Sequence, residues 1–103
     1  MDFVVIRNVS FLNRIVYRKE GMVEYIKHDL KILPEYFKDL EPGIKRFEIR
    51  KDDRDYSVGD IFALREWNPE TGYTGRVFVN IIRYVLRDCQ EYGLMDGYCI
   101  FCW

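Results

Sequence analysis

Short segments rich in apolar residues recur after residue 22, and two of them alternate apolar with polar positions, which is typical of β-strands. This pattern predicts strands over residues 23–32, 46–51, 61–67, 76–86 and 98–103, with the alternation in 46–51 and 76–86. These strands, with a single short helix between the first two, indicate an α+β domain with a curled or closed sheet.

The helix is predicted from the sequence PEYFKDLE, residues 34–41. Pro34 suits a first helical turn, where its missing N–H is not needed, and Pro42–Gly43 marks the end. Apolar residues recur at helical spacing and are expected to dock on the core: Leu33, Tyr36, Phe37 and Leu40. Two polar segments, residues 68–75 and 87–97, are predicted to form a hairpin loop and a longer loop.

The segment GIKRFEIRKDDRDYSVGD, residues 43–60, is rich in charge of both signs, with five cations and five acids. Because side chains alternate between the two faces of a strand, Phe47 and Ile49 are expected to face the core. The opposite face would present a charged row, Arg46, Glu48 and Arg50. Such a row is what the floor of a polar cleft would look like. The alternative is a row of surface ion pairs, which are common and individually weak.

The size and charge of the chain exclude several classes of protein. Its 103 residues form one domain, which on size scaling buries about two-thirds of the surface of the unfolded chain. The net charge of −1 argues against a general polyanion binder, so contacts with nucleic acid would be local. No apolar run approaches the ~20 residues that span a bilayer, and we expect no membrane partner.

Three cysteines, Cys89, Cys99 and Cys102, raise the question of a metal site. Cys99 and Cys102 lie in a predicted strand, where residues three apart face opposite sides. A zinc site also needs a second pair of ligands, and His28 is the only histidine. We therefore expect free thiols, no metal and no other cofactor. Free thiols are typical of a reducing compartment, which predicts a cytoplasmic location.

The first 21 residues show no clean period of either kind. One hypothesis is that translation begins at Met22, because residues 18–21, RKEG, correspond to codons that spell a purine-rich ribosome-binding sequence. The alternative is an additional strand, Phe3 to Arg7, that pairs with a sheet edge. We therefore divide the chain into an N-terminal extension, residues 1–21, and a domain, residues 22–103.

Several segments together resemble a known family: HDLKILPEYF, GIKRFEIR, KDDRDYSVGD, LREW and TGYTGR. They are similar to the ASCH domain of the PUA-like superfamily, and most closely to its bacterial and phage branch called domain of unknown function 3850. The resemblance extends from about Val23 to Phe101. It implies a small pseudo-β-barrel of about five to six strands, with a short helix beside a cleft that binds RNA or a nucleotide.

The resemblance also implies which residues line that cleft: His28, Lys31, Tyr36, Lys45, Glu48, Arg50 and Arg54. The lysines and arginines would contact phosphate or sugar, and Tyr36 or Trp67 would stack on an unpaired base. Glu48 would orient Arg50 or accept a hydrogen bond from a base edge. The structural alternatives are a hydrogen-bonded core histidine at His28 and a buried ion pair between Glu48 and Arg50.

A second interpretation is an amidohydrolase, because some ASCH relatives cleave the amide of an acylated cytidine with a lysine, a threonine and a glutamate. Lys45 matches that lysine, but Glu48 stands where the threonine would be, so the nucleophile is missing. The acid would be Glu66 or Glu70. Ser57 and Thr74 are predicted in turns, and nothing in the sequence brings either beside Lys45, whereas an acyl-enzyme intermediate needs a placed hydroxyl or thiol.

A third interpretation is a protein-interaction domain encoded by a phage or plasmid. This function would require a surface on which a partner protein could dock. An exposed apolar patch formed by Phe101, Trp103 and the segment Phe3–Val5 would supply one, because large exposed apolar patches mark interaction sites.

Overall fold

The computed structural model describes residues 3–6, 16–18, 21–23 and 26–103, with side chains described from residue 26 onward. This part of the chain contains nine strands, one short α-helix and one 3-10 helix. Their bounds are β1 Phe3–Ile6, β2 Val16–Arg18, β3 Gly21–Val23, β4 Lys27–Ile32, α1 Pro34–Phe37, β5 Phe47–Lys51, β6 Ile61–Asn68, β7 Gly72–Ile81, β8 Tyr84–Leu86, the 3-10 helix Gln90–Tyr92 and β9 Tyr98–Cys102.

The strands form three sheets of three strands each. The first contains β1, β2 and β3, the second has the order β4-β6-β7, and the third has the order β5-β9-β8. All pairs are antiparallel except β4 with β6, whose parallel pairing requires the crossover through α1 and β5. The prediction of a small, strand-rich α+β domain with one short helix is therefore confirmed, and the pairings among the described residues do not close a barrel.

The second and third sheets contribute to one hydrophobic core. Phe62 on β6 and Phe101 on β9 are fully buried, with their ring centroids 5.1 Å apart. Trp103 packs against Phe62 at 4.8 Å. The predicted interaction patch is therefore wrong for Phe101, which cannot contribute to an exposed surface. Trp103 is partly buried against this core, and the side chains of Phe3–Val5 lie outside the described residues.

The strand predicted over residues 76–86 is in fact two strands in different sheets. β7 begins earlier, at Gly72, which shortens the hairpin loop predicted over residues 68–75. After β7, the backbone N–H of Ile82 donates to Asp60 O at 2.9 Å, and Ile82 O accepts from the N–H of Gly59 at 2.8 Å. These bonds to another loop take Ile82 out of the ladder, and the chain passes into the third sheet as β8.

Strand β5 alternates as predicted, but the predicted core face is wrong. Phe47 and Ile49 are 46% and 54% exposed, whereas Glu48 between them is only 6% exposed. Burial of a carboxylate is costly unless it is paired and hydrogen-bonded, and Glu48 has two cationic partners. This local pairing permits an inward glutamate and leaves the apolar residues of β5 to line a surface cleft.

The helix begins at Pro34 as predicted but ends at Phe37, and hydrogen-bonded turns continue to Gly43. Phe37 and Leu40 dock on the core as expected, whereas Tyr36 is largely exposed, contrary to the prediction. A four-residue helix presents one narrow face to the core, and Tyr36 lies off that face.

The N-terminal boundary of β4 also differs from the prediction. The strand expected over residues 23–32 begins only at Lys27, and Val23 instead ends β3; residues 24 and 25 lie outside the described residues. The alternative strand at Phe3 to Arg7 appears as β1, with Arg7 outside the described residues. β1 pairs with β2 in the first sheet.

Candidate functional site

A cleft of about 650 Å³ lies between α1 and β5, and we call it the main cleft. Its walls come from the end of β4, from α1, from the loop that follows and from β5. Five of the seven residues predicted to bind a ligand line it: Lys31, Tyr36, Lys45, Glu48 and Arg50. The structure therefore brings together most of the residues that the resemblance implied.

Glu48 is the centre of the charged part of this cleft. Its Oε1 accepts a hydrogen bond from Lys45 Nζ, and its Oε2 accepts one from Arg50 Nε at 2.7 Å. Lys45 Nζ also donates to the carbonyl oxygen of Phe47. One carboxylate thus lies between two cations, one on each oxygen, and the group as a whole is positively charged.

Backbone and side-chain contacts fix these three groups in place. Glu48 pairs with Phe101 in the β5–β9 ladder, so its strand is held against the core. The N–H of Lys45 donates to Asp39 O at 2.8 Å, which closes the loop between α1 and β5. Arg50 Nη2 donates to Lys31 O at 2.6 Å and ties β5 to the end of β4.

Apolar side chains flank this charged centre on the cleft wall. Tyr36, Ile44, Phe47 and Ile49 all line the cleft and are all exposed. A pocket with apolar walls and a few convergent polar groups is typical of small-molecule sites. The sequence interpretation missed Phe47 and Ile49 because it placed them in the core. Because Phe47 and Ile49 alternate with charged residues, the pattern alone does not show which of the two sets faces the core.

A second, smaller pocket adjoins the main cleft, and we call it the cationic pocket. It has a volume of about 330 Å³. Its charged lining residues are Asp29, Lys31, Arg50, Arg54 and Arg65, and its aromatic one is Tyr73. Arg54 lies here and not in the main cleft. Arg65 and Tyr73 were not predicted as site residues, although a charged residue in the apolar run IFALREW is a signal that could have identified Arg65.

Trp67 contributes to this region through its contact with Lys31. Lys31 Nζ lies 4.4 Å from the centroid of the Trp67 ring and 5.9 Å from that of Tyr73. Trp67 and Tyr73 are paired across the β6–β7 hairpin. These cation–π contacts hold the Lys31 ammonium at the junction of the main cleft and the cationic pocket.

His28 lies in the core and lines neither pocket. It is buried, its Nε2 lies 2.8 Å from Asp60 Oδ2, and its ring centroid lies 4.6 Å from that of Tyr56. Asp60 Oδ2 also accepts from the N–H of Ser57 at 3.0 Å. Burial raises the pKa of Tyr56 to about 12, so its phenol stays neutral. The geometry of His28 matches the structural alternative, a hydrogen-bonded core histidine.

Glu66, one candidate for a hydrolase acid, is hydrogen-bonded across the pair of strands β6 and β7. Its carboxylate accepts from Thr74 Oγ1 at 2.7 Å and from Arg76 Nε and Nη2 at 2.9 and 2.7 Å. The bonds from Arg76 hold the pKa of Glu66 below its ordinary value. Thr74 lies in β7, so its predicted turn location was wrong. Glu70 lies exposed in the hairpin loop.

The cysteines and the other candidate ligands do not assemble into a metal site within the part of the chain that the structure describes. Cys99 is buried and Cys102 half-buried, and all three cysteines are free thiols. Burial raises the pKa of the Cys99 thiol to about 11. Within the same residues, no helix has the length and apolar character needed to cross a membrane.

Residues 27–102 match the model of a protein family described as "Domain of unknown function (DUF3850)". The chain is also similar to a protein of Escherichia phage P2 described as "Uncharacterized 12.9 kDa protein in GpA 3'region", with 43% identity over 49 residues. The aligned region covers 48% of this chain and 44% of the phage protein, which is less than half of either.

Proposed function

The chain belongs to the family described as domain of unknown function 3850, and we propose that it is an RNA- or nucleotide-binding module that uses the main cleft. The observation that best supports this function is the position of Glu48, a buried carboxylate in the lining of the cleft with a cation on each oxygen. Exposed apolar and aromatic side chains surround this centre.

This arrangement matches the chemistry of an unpaired base. A base has flat apolar faces and a polar edge, and Tyr36 or Phe47 would stack on a face. Stacking of this kind contributes about 1–3 kcal/mol per base. The lone pairs of Glu48 that Lys45 and Arg50 leave unused would accept from an exocyclic amine or an imino N–H.

The proposal also covers the fold family and the cellular location of the protein. We assign the fold to the PUA-like pseudo-barrel of the ASCH domain. Two features support this assignment: the second and third sheets share one core, and β7 continues into β8 across them. The three free thiols support a cytoplasmic site of action, since reducing compartments keep thiols free.

Hydrolysis of an acylated nucleoside is the second candidate, and the contact between Lys45 and Glu48 is the observation that favours it. A lysine–carboxylate pair is able to activate water. Two observations favour binding instead. No Ser, Thr or Cys is present among the described residues that line the main cleft. In addition, the Lys45 ammonium already donates to the Glu48 carboxylate and to the Phe47 carbonyl, which leaves one of its three donors for any other partner.

The test is binding of fluorescein-labelled single-stranded RNA and transfer RNA, measured by fluorescence anisotropy at low and moderate salt. We expect salt-sensitive binding that Lys45→Ala weakens by about tenfold or more, which corresponds to ~1.4 kcal/mol. Lys38→Ala is the matched control, because Lys38 is exposed and lies outside the cleft.

Thermal melting must show that both variants are folded. Absence of RNA and nucleotide binding by the folded wild-type protein would contradict the proposed function. Release of acyl groups from N4-acetylcytidine, lost in Lys45→Ala, would then establish the hydrolase in its place.

A further inference from the structure

We infer that the cationic pocket is a phosphate subsite, so that the ligand of the main cleft is a phosphorylated nucleotide or an RNA strand rather than a free nucleoside. This inference rests on the proposed function of the main cleft. It follows from the excess of positive charge in a small pocket that shares a wall with that cleft.

The charged groups of the cationic pocket do not neutralise each other. Four cations and a single carboxylate, that of Asp29, line it. Arg65 forms an ion pair with that carboxylate, with Nε and Nη2 at 3.1 and 3.0 Å from Asp29 Oδ1. Arg54 instead donates to the backbone oxygen of Asp29 at 3.0 Å, which orients the guanidinium and leaves its charge uncompensated.

The remaining two cations differ in their partners. The Lys31 ammonium lies over the neutral Trp67 ring, whereas Arg50 donates Nη2 to Lys31 O and Nε to Glu48, a carboxylate that it shares with Lys45. An arginine presents five N–H donors in a planar fork, so Arg50 and Arg54 retain donors for a ligand. Guanidinium groups held in place by backbone oxygens suit bidentate binding of phosphate.

The two pockets meet at Lys31 and Arg50, which line both of them. A base bound against Glu48 in the main cleft therefore places its sugar beside this junction and its phosphate in the cationic pocket. Tyr73 forms an exposed aromatic wall of the cationic pocket, where a neighbouring nucleotide would contact it. A free nucleoside would leave the uncompensated charges of this pocket unused.

The experiment uses the full chain and the double variant Arg54→Gln/Arg65→Gln, whose changes lie outside the main cleft. The control Arg46→Gln/Arg83→Gln removes the same charge at two exposed arginines that line neither pocket. Each protein is titrated calorimetrically with the four ribonucleosides and with their 5′-monophosphates. Binding of a labelled single-stranded RNA, with and without a 5′-phosphate, is measured in parallel by anisotropy.

We expect wild type and control to bind a monophosphate at least about tenfold more tightly than the matching nucleoside. The Arg54→Gln/Arg65→Gln variant should lose this preference and keep its affinity for the nucleoside. With RNA, the slope of log affinity against log salt should become shallower by about 0.7 for each phosphate that the variant no longer neutralises. A requirement for the 5′-phosphate would identify a terminal phosphate, and equal binding without it would identify a backbone diester.

Equal affinity of the folded wild type for nucleoside and monophosphate would overturn the phosphate subsite, as would a preference that survives in Arg54→Gln/Arg65→Gln. If Lys45→Ala still abolishes RNA binding in that case, the proposed function stands without the subsite. If RNA binding depends on Arg54 and Arg65 and is indifferent to Lys45, the main cleft is not the base site. Absence of all binding overturns both proposals.

Discussion

Two buried glutamates on strands of this domain are paired with cations in different ways. Glu48 on β5 contacts Lys45 and Arg50, which lie three residues before it and two after it. Glu66 on β6 contacts Thr74 and Arg76 of the neighbouring strand β7. The first pairing is local and borders a cleft of about 650 Å³, whereas the second joins two strands of one hairpin.

Under the proposed function, Glu48 binds a ligand and the contacts of Glu66 are structural, although both carboxylates are buried. A carboxylate offers about four acceptor sites. Glu66 uses three of them within the protein, and it is only 2% exposed. The contacts of Glu48 to Lys45 and Arg50 use two, so acceptor sites remain for a ligand in the main cleft. The two carboxylates therefore differ in the origin of their partners and in the open cleft beside Glu48.

The largest effect is expected on stability, when each glutamate is truncated to alanine. Glu48→Ala leaves two cations whose side chains are only 15% and 24% exposed, and it should lower the free energy of unfolding by about 3 kcal/mol. Glu66→Ala should lower the free energy of unfolding by less. The Arg76 side chain is 64% exposed, so water can solvate its charge once the glutamate is removed.

Urea denaturation of both variants measures this comparison. Glu35→Ala, at an exposed position in α1, serves as the control and should change stability little. A greater loss of stability in Glu66→Ala than in Glu48→Ala would show that the cross-strand pair is the more important one for the fold.

The second effect is on ligand affinity and depends on the proposed function. Glu48→Gln keeps the size of the side chain but turns one acceptor oxygen into a donor amide. We expect RNA affinity to fall by about tenfold, since a hydrogen bond to a charged group contributes about 1.5–3 kcal/mol. Glu66→Gln should leave the affinity of the folded protein unchanged. Anisotropy with one labelled RNA measures both, and equal losses would remove the distinction between the two glutamates.

The smallest effect is on the dependence of stability on acid. Hydrogen bonds from Arg76 lower the pKa of Glu66 in the folded state below its ordinary value of 4.5. A carboxylate with a depressed pKa stabilises the fold above pH 4.5, and this contribution is lost as the pH falls through the folded-state pKa. Glu66→Gln does not titrate, so its Tm should fall less steeply below pH 4.5 than that of the wild type.

Melting curves recorded from neutral pH to below pH 4.5 test this expectation. Glu70→Gln, at an exposed glutamate of the same hairpin, is the control and should follow the wild type. If the Tm of Glu66→Gln fell with pH as steeply as that of the wild type, another carboxylate would determine the loss of stability in acid.

Much of the candidate site was predictable because its residues are close in sequence. Lys45, Glu48 and Arg50 fall within six residues, so their spacing and the family resemblance were sufficient to group them. Lys31 and Tyr36 were added by the resemblance, and they line the same cleft. Arg65 and Tyr73 reach the cationic pocket only through the pairing of β4, β6 and β7, which the local pattern does not specify.

The sequence by itself determined the strand-rich α+β class, the approximate positions of β5, β6 and β9, and the start of α1 at Pro34. These features depend on the local pattern of each segment and on backbone preferences of single residues. Tertiary structure alone decided which face of β5 is inside, where the predicted strand 76–86 breaks, and that His28 is buried beside Asp60. Glu48 has local cationic partners, but it lies against the core because β5 pairs with the distant strand β9. The break at Ile82 and the burial of His28 depend on hydrogen bonds to residues 59 and 60, because a buried polar group needs the partners that the rest of the fold supplies.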